Sequence, residues 1–205
     1  MPGDGEDAIG LNQKPDGTGK PDRSASAPRH PVGVVGWDST PCMSGLGKNN
    51  ASGADRAGSV WAYDRDAGAR DAKDTVDAVA KLPGCTGKVA VLGYCLGALM
   101  VFLTAVRHGV DAAVAYHGGD TEKYLGEIDG LHAPMLMHLA EEDEFISKAA
   151  QAEIKTALAK KPNATVYSYP GQHHAFSRHN GAHYNAAAAA LANGRTSEFL
   201  HQRLR

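Results

Sequence analysis

The sequence predicts an α/β fold in which helices cover both faces of one parallel sheet. From residue 71 onward, short apolar runs alternate with longer helical segments, an order that is typical of parallel sheets. Glycine or proline bounds the apolar runs, which favours strands buried on both faces. With 205 residues, the chain is long enough for one domain with a substantial core.

The first 60 residues differ from the rest of the chain. They contain 11 glycines, 6 prolines and few large apolar side chains. Their one strand-like fragment, at 32–37, is interrupted by Gly33 and Gly36. Since such a segment buries too little apolar surface to offset the entropy of ordering it, we expect 1–60 to be disordered or aberrant and the folded domain to occupy 61–205.

Each element of that domain follows from a local pattern. Apolar residues at helical spacing over 71–82, closed by Pro83 and Gly84, predict an amphipathic helix. The apolar run at 88–93 predicts a buried strand, and the long apolar stretch at 96–107 predicts a buried helix. We expect further strands at 112–116, 134–139 and 164–169, a helical turn near 121–127, and helices at 146–160 and 184–204.

Composition limits the environment and the partners. The formal net charge is −2 at pH 7 and no basic block occurs, so we expect neither nucleic acid nor an anionic membrane as a partner. We find no secretory signal and no apolar stretch of membrane-spanning length. The three cysteines lack C-x-x-C spacing, which favours a reduced, cytoplasmic setting.

Cys95 lies between two glycines, at the junction of a predicted strand and a predicted helix. Glycine at both Gly93 and Gly97 allows the backbone to turn sharply from strand into helix. The spacing G-x-C-x-G is that of a nucleophile elbow with sulfur in place of serine oxygen, and the positive end of the helix favours a thiolate there. A buried core cysteine beside a tight turn is the alternative interpretation.

Two more reactive side chains follow predicted strands, Asp143 after 134–139 and His174 after 164–169. In open parallel sheets, functional residues collect at the carboxyl ends of strands. The chain order nucleophile, acid, histidine predicts a triad in which His174 accepts the thiol proton and Asp143 holds the imidazole in its productive tautomer. The backbone N–H of Leu96, at the start of the helix, is the predicted oxyanion donor.

Other interpretations of these residues stay open. Asp143 lies in an acidic run, and such runs are usually solvated, while His174 has three other histidines nearby. His179 and His183 are four residues apart, a spacing that could place two metal ligands on one helical face. Because no carboxylate or cysteine completes such a site in the sequence, we predict no metal and no cofactor.

From about residue 61 to the C-terminus, the sequence resembles the dienelactone hydrolase family of α/β-hydrolases. The G-Y-C-L-G and H-A-F-x-R stretches together are specific to that resemblance. The matching residues are Gly93-Tyr94-Cys95-Leu96-Gly97, Tyr116, Asp143, Phe145, Tyr169-Pro170-Gly171 and His174-Ala175-Phe176-Ser177-Arg178. The fold that the resemblance implies is that of an α/β-hydrolase.

The resemblance implies hydrolysis of a small-molecule lactone or carboxylic ester through a cysteine thioester, in the breakdown of aromatic compounds. It implies Arg178 as the residue that binds a substrate carboxylate, which a guanidinium can hold by two parallel hydrogen bonds. Tyr116 and Phe145 are implied as further substrate-binding residues. The implied catalytic residues are Cys95, Asp143 and His174.

The sequence departs from the family in two places. Position 98 is alanine, whereas the family continues with a second glycine. The family also has strands before the elbow that supply a second oxyanion amide, a glutamate and a second arginine, and nothing in 1–60 matches them. A shifted reading frame or a rearranged gene could have replaced that half. We therefore expect an unpaired edge at the strand 88–93, and an inactive fragment is the alternative to an active hydrolase.

Overall fold

The computed structural model describes residues 63–205 and the backbone of 33–37. Its centre is a sheet of five parallel strands in the order β1-β2-β3-β4-β5, which confirms the predicted α/β architecture. The strands are β1 Gly33–Trp37, β2 Val89–Tyr94, β3 Ala112–Tyr116, β4 Met135–Ala140 and β5 Ala164–Tyr169. Because all five are parallel, their carboxyl ends meet at one edge of the sheet.

In the part of the chain that the structure describes, four α-helices and one 3₁₀ segment accompany the strands, and the last helix follows the final strand. The helices are α1 Arg65–Ala80, α2 Leu96–Arg107, α3 Lys148–Leu158 and α4 Ala186–Arg203, and the 3₁₀ segment is Thr121–Gly130. Helix α1 begins six residues before the predicted start at 71, because the Asp64 side chain accepts hydrogen bonds from the N–H groups of Asp66 and Ala67 and caps the helix there.

Strand β1 corrects one expectation. It pairs with β2 in parallel register from Gly33 beside Val89 to Trp37 beside Gly93. Strand β2 therefore has neighbours on both sides, and the unpaired edge expected at 88–93 does not occur. The prediction that 1–60 is disordered or aberrant otherwise lies outside the described residues.

Helices cover both faces of the sheet, as predicted. Helix α2 is the centre of one face, and all of its residues from Gly97 to Val106 are buried. It packs with α1 and α3 against alternate side chains of the strands, for example Val91 and Met137. The opposite face, with Val114 and Leu136, is covered by α4. Within the described residues, the structure contains no helix long and apolar enough to cross a membrane.

Candidate active site

Cys95 lies on the sharp turn between β2 and α2. Its backbone has a positive φ of 55°, with ψ −121°, and its N–H donates to the carbonyl oxygen of Tyr116 at 3.0 Å. A Cβ atom at Gly93 would lie 2.2 Å from the carbonyl oxygen of Gly97, so the strand and helix approach this closely only because residue 93 is glycine. The turn is therefore the elbow that the glycine spacing predicts.

Asp143 follows β4 and is oriented by its own loop. Its Oδ1 atom accepts the N–H groups of Phe145 and Ile146 at 2.9 and 3.2 Å. The Nδ1–H group of His174 donates to the same carboxylate, at 2.8 Å from Oδ2 and 3.0 Å from Oδ1. Both side chains are buried, so water competes little for this contact.

Cys95 lies close enough to His174 to influence the titration of the imidazole. Burial by itself lowers the pKa of His174, but the hydrogen bond to Asp143 and the nearby Cys95 side chain outweigh it and raise the pKa to about 9. The imidazole therefore carries a proton at neutral pH. The structure brings together the three residues that the sequence singles out from three different strand ends.

The peptide group of His174 is held on both sides by residues outside the predicted triad. The carboxylate of Glu144 accepts the N–H of His174 at 3.1 Å, and Nδ1 of His183 donates to the carbonyl oxygen of His174 at 3.1 Å. His173 donates to the other Glu144 oxygen at 2.8 Å. Glu144 lies next to Asp143 in the acidic run, which was the only signal for it in the sequence.

An open cavity of about 460 Å³ lies over Cys95 and His174. Phe145 and Arg178, two of the predicted substrate-binding residues, reach this cavity. The Phe145 ring is 73% exposed and meets the His174 ring edge-on, with centroids 4.8 Å apart. The lining residues are Tyr94, Cys95, His117, Phe145, His174, Ala175, Ser177, Arg178 and His179.

Tyr116, the third predicted substrate-binding residue, does not reach the cavity. Its side chain is fully buried between the sheet and α4. The hydroxyl contacts Oγ1 of Thr196 at 2.7 Å and Oδ1 of Asn193 at 3.1 Å, and burial raises the pKa of the phenol above its usual value. Because side chains of a strand alternate between faces, Tyr116 binds the helix behind the sheet. We correct its role to a structural one.

His117, one residue further, is the cavity residue that the sequence analysis missed. Its backbone is left-handed, with φ 41°, and its ring lies 4.3 Å from the ring of His174. The side chain is 2% exposed. Burial and the neighbouring His174 hold the pKa of His117 well below its usual value, so the imidazole is neutral. A signal was present, since His117 directly follows a predicted strand.

Leu96 is the first residue of α2, next to Cys95. The first N–H groups of a helix have no acceptor within the helix, so the Leu96 N–H can donate to a group outside it. Ala98, the position at which the sequence departs from the family, is fully buried in the core beneath the elbow. The additional methyl group is accommodated there.

His179 and His183, considered in the sequence as a pair of metal ligands, have different surroundings. His179 lines the cavity and contacts the ring of Tyr184, with centroids 5.3 Å apart. His183 instead joins Glu144 and His173, and one potential ligand atom from each of these three lies within 4.8 Å of the others. All three side chains are exposed and already share the hydrogen bonds around His174.

Comparisons with known proteins place the chain among hydrolases of related sequence. Residues 45–204 match the model of the dienelactone hydrolase family. The chain is 35% identical over 147 residues to a carboxymethylenebutenolidase of Pseudomonas putida, which covers 71% of this chain and 62% of that protein. It is 30% identical over 138 residues to carboxymethylenebutenolidase 1 of Cupriavidus pinatubonensis, covering 67% of this chain and 58% of that protein.

The chain thus spans about three fifths of the length of these two relatives. Among solved structures, a dienelactone hydrolase-like promiscuous phosphotriesterase from metagenomic libraries is similar, with a TM-score of 0.71 and 20% identity over 86% of this chain and 87% of that one. At this identity the structural likeness shows the fold. The family match, which covers most of the sequence, establishes that the chain belongs to the dienelactone hydrolase family.

Proposed function

We propose that the chain hydrolyses a small-molecule lactone or carboxylic ester through a thioester on Cys95. The observation that carries the proposal is that Cys95 and a protonated imidazole that Asp143 orients line the same open cavity. The relatives named carboxymethylenebutenolidase support a lactone as the substrate. In this proposal the site lies in the cytoplasm and serves the breakdown of aromatic compounds.

The first half of the reaction transfers the acyl group to sulfur. His174 holds the proton of the Cys95 thiol, and the thiolate sulfur attacks the carbonyl carbon of the ester. The Leu96 N–H, at the positive end of α2, donates to the oxyanion that forms. As the carbon–oxygen bond breaks, His174 returns the proton to the leaving oxygen. In a lactone this hydroxyl stays attached to the acyl group.

The second half releases the acid. His174, now neutral, takes a proton from a water molecule, whose oxygen attacks the thioester carbon. The carbon–sulfur bond breaks, and the sulfur leaves as thiolate beside the imidazolium. Asp143 stabilises the positive imidazole in both halves, because its carboxylate stays within hydrogen-bond distance of Nδ1.

Arg178 and Phe145 determine which substrates enter. Arg178 is exposed at the cavity and offers a guanidinium to an anionic group of the substrate. The Phe145 ring covers His174 and offers an apolar surface to a planar or cyclic substrate. This pair of surfaces suits a lactone that bears a carboxylate, in agreement with the class that the relatives' names indicate.

The test is hydrolysis of dienelactones and activated aryl esters by the wild type, Cys95→Ala and Cys85→Ala. Cys85 is the matched control, because it is a free, half-buried thiol outside the cavity. We expect Cys95→Ala to lose activity by at least about 1000-fold and Cys85→Ala to keep it. Mass spectrometry of the quenched wild type should show an acyl group on the peptide that contains Cys95.

Full activity in Cys95→Ala would overturn the mechanism. The inactive fragment is the second candidate, and the observation that favours it is that the chain spans only about three fifths of its relatives. A protein that melts cooperatively, yet hydrolyses none of the lactones or esters and forms no acyl-enzyme, would establish that candidate.

A further inference from the structure

Two side chains of the cavity contain buried polar atoms without a partner. In the described part of the chain, six buried side-chain nitrogen and oxygen atoms have no hydrogen-bond partner, and three of them belong to His117 and Ser177. They are Nδ1 and Nε2 of His117 and Oγ of Ser177. Because leaving buried polar atoms unpaired destabilises a fold, such atoms in a cavity indicate that a ligand pairs with them.

The backbone at His117 supports a functional reason for its position. Its φ of 41° lies in the left-handed region, which non-glycine residues adopt rarely. The neighbouring strand β4 helps to hold this conformation, since the His117 N–H donates to the carbonyl oxygen of His138 at 2.8 Å. Cys95 and Ala175, which also line the cavity, have positive φ as well. Unfavourable backbone conformations of this kind concentrate at binding and catalytic sites.

The chemistry of the two side chains defines what would pair with them. The His117 ring is neutral because it is buried beside the positively charged His174. A neutral imidazole offers one N–H donor and one acceptor lone pair, and a serine hydroxyl likewise both donates and accepts. A carboxylate only accepts, so it would leave the imidazole lone pair unpaired. A hydroxyl group donates and accepts, and therefore matches both side chains.

We propose that His117 and Ser177 form a subsite for an uncharged hydroxyl group of the substrate, beside the scissile bond. The subsite rests on the proposed hydrolase function and adds a substrate class to it: hydroxylated lactones and esters. The subsite differs in chemistry from Arg178, whose exposed guanidinium group is suited to an anionic group of the substrate. The position of His117 against the ring of His174 places the bound hydroxyl close to the oxygen that leaves.

The experiment compares activated aryl esters of 2- and 3-hydroxybutyrate with the same aryl ester of butyrate. The readout is the ratio of kcat/KM for each hydroxylated ester to kcat/KM for the butyrate ester. A substitution that changes kcat/KM equally for all substrates leaves this ratio unchanged. The intrinsic reactivity of each ester is the same for every variant, so it does not affect the comparison of ratios between variants. We expect at least one ratio to be about 10 to 100 in the wild type and to fall at least fivefold in His117→Phe and Ser177→Ala.

Two further variants complete the design. His117→Asn keeps a donor and an acceptor and tolerates positive φ, so it should recover part of the preference and replaces His117→Phe if that variant does not fold. His132→Phe, at an exposed histidine outside the cavity, should leave the ratio at its wild-type value. Ratios that stay at the wild-type value in His117→Phe, His117→Asn and Ser177→Ala would overturn the subsite. Wild-type ratios near 1 would also overturn the subsite and would indicate that a water molecule is the hydrogen-bond partner of His117 and Ser177.

A binding measurement separates this proposal from the function on which it rests. Calorimetry with Cys95→Ala should show tighter binding of 2- or 3-hydroxybutyramide than of butyramide, with the difference lost in Cys95→Ala/His117→Phe. If the wild type hydrolyses no ester but this difference in binding is found, the proposed function fails and the subsite stands. If the wild type hydrolyses esters but the amides bind equally, the function stands and the subsite fails.

Discussion

The Nδ1 atom of His174 lies 2.8 Å from Oδ2 of Asp143, although the two residues follow different strands. The carboxylate is itself held by two backbone N–H groups of its own loop. The direction of the imidazole is therefore determined by β4 as well as by β5. The activity of Asp143→Asn and the pH dependence of activity and stability depend on this pair and on the proton that it retains on His174.

Asp143→Asn should reduce kcat by about 1000-fold or more, because the amide removes the charge that stabilises the imidazolium and can orient the wrong tautomer. It should also lower the pKa of His174, since Asp143 is the principal group that raises it. Steady-state rates between pH 6 and 10 provide the measurement. Glu142→Gln is the control, because that neighbouring carboxylate is exposed and pairs with Lys148. Equal losses in the two variants would contradict the assignment.

The wild-type activity should fall as the pH rises through about 9. The pKa of His174 is raised to about 9, so the imidazolium that protonates the leaving oxygen is lost above that pH. In a plot of kcat/KM against pH, we expect an alkaline limb near 9 in the wild type and at lower pH in Asp143→Asn. An alkaline limb at the same pH in both proteins would show that His174 is not the titrating group.

The same proton should make stability depend on pH. Because the pKa of His174 is higher in the folded chain than the usual 6.5, its stabilising contribution is complete below about pH 6.5 and is lost as the pH rises through 9. The difference in free energy of unfolding between the wild type and His174→Gln should therefore shrink over this range in urea titrations. A difference that stays constant from pH 6 to 10 would refute this linkage.

Gly93→Ala should destabilise the fold by at least about 2 kcal/mol. The added Cβ would lie 2.2 Å from the carbonyl oxygen of Gly97, and backbone atoms of both the strand and the helix would have to move. Gly126→Ala is the matched control, because nothing lies within 4 Å of a Cβ added there. Thermal melts of both variants provide the comparison, and similar melting temperatures would contradict the close approach at the elbow.

Tyr116→Phe should cost about 1 to 2 kcal/mol of stability while leaving kcat/KM within about twofold of the wild type. Removing the hydroxyl breaks its contacts with Thr196 and Asn193 and leaves Thr196 with Nε2 of His138 at 3.0 Å, but it changes no atom of the cavity lining. Tyr184→Phe serves as the control at an exposed position. A large loss of activity without a loss of stability would restore Tyr116 to the substrate-binding residues.

Arg178→Gln should raise KM for an anionic lactone by about 10- to 100-fold and change KM for a neutral aryl ester much less. The reason is that the guanidinium is exposed at the cavity and would pair only with a charged group of the substrate. Arg178→Lys keeps the charge but not the paired hydrogen bonds, so an intermediate KM is expected. Equal changes for the anionic and the neutral substrate would exclude this role.

Local patterns predicted the elements that depend on local interactions. The strands at 112–116 and 164–169 and the helix at 96–107 have the bounds that the sequence indicates. The start of α1 was misplaced, because a single side chain, Asp64, caps it ahead of the apolar pattern. The pairing of β1 with β2 was also missed, since its hydrogen bonds join segments more than fifty residues apart.

The candidate site divides in the same way. Cys95 was identified from flanking glycines, which are a local requirement of the turn, whereas His117 and Glu144 carry no comparable local signal. His117 has its role because β3 lies between β2 and β4 and brings its ring against that of His174. Glu144 has its role because its loop meets the loop after β5, where it accepts the N–H of His174.

The sequence by itself determined the elbow at Cys95 and the order of the three reactive residues, because these follow from glycine spacing and from strand ends along the chain. Its resemblance to the dienelactone hydrolases indicated the family. Only the tertiary structure decided which neighbours reach the cavity. It turned Tyr116 toward α4, on the face that it shares with Val114, and it turned His117 toward His174, because His117 follows the end of β3 with a positive φ. It also determined that one histidine is charged and the other neutral, because the charge of an imidazole depends on its burial and on the carboxylate it contacts.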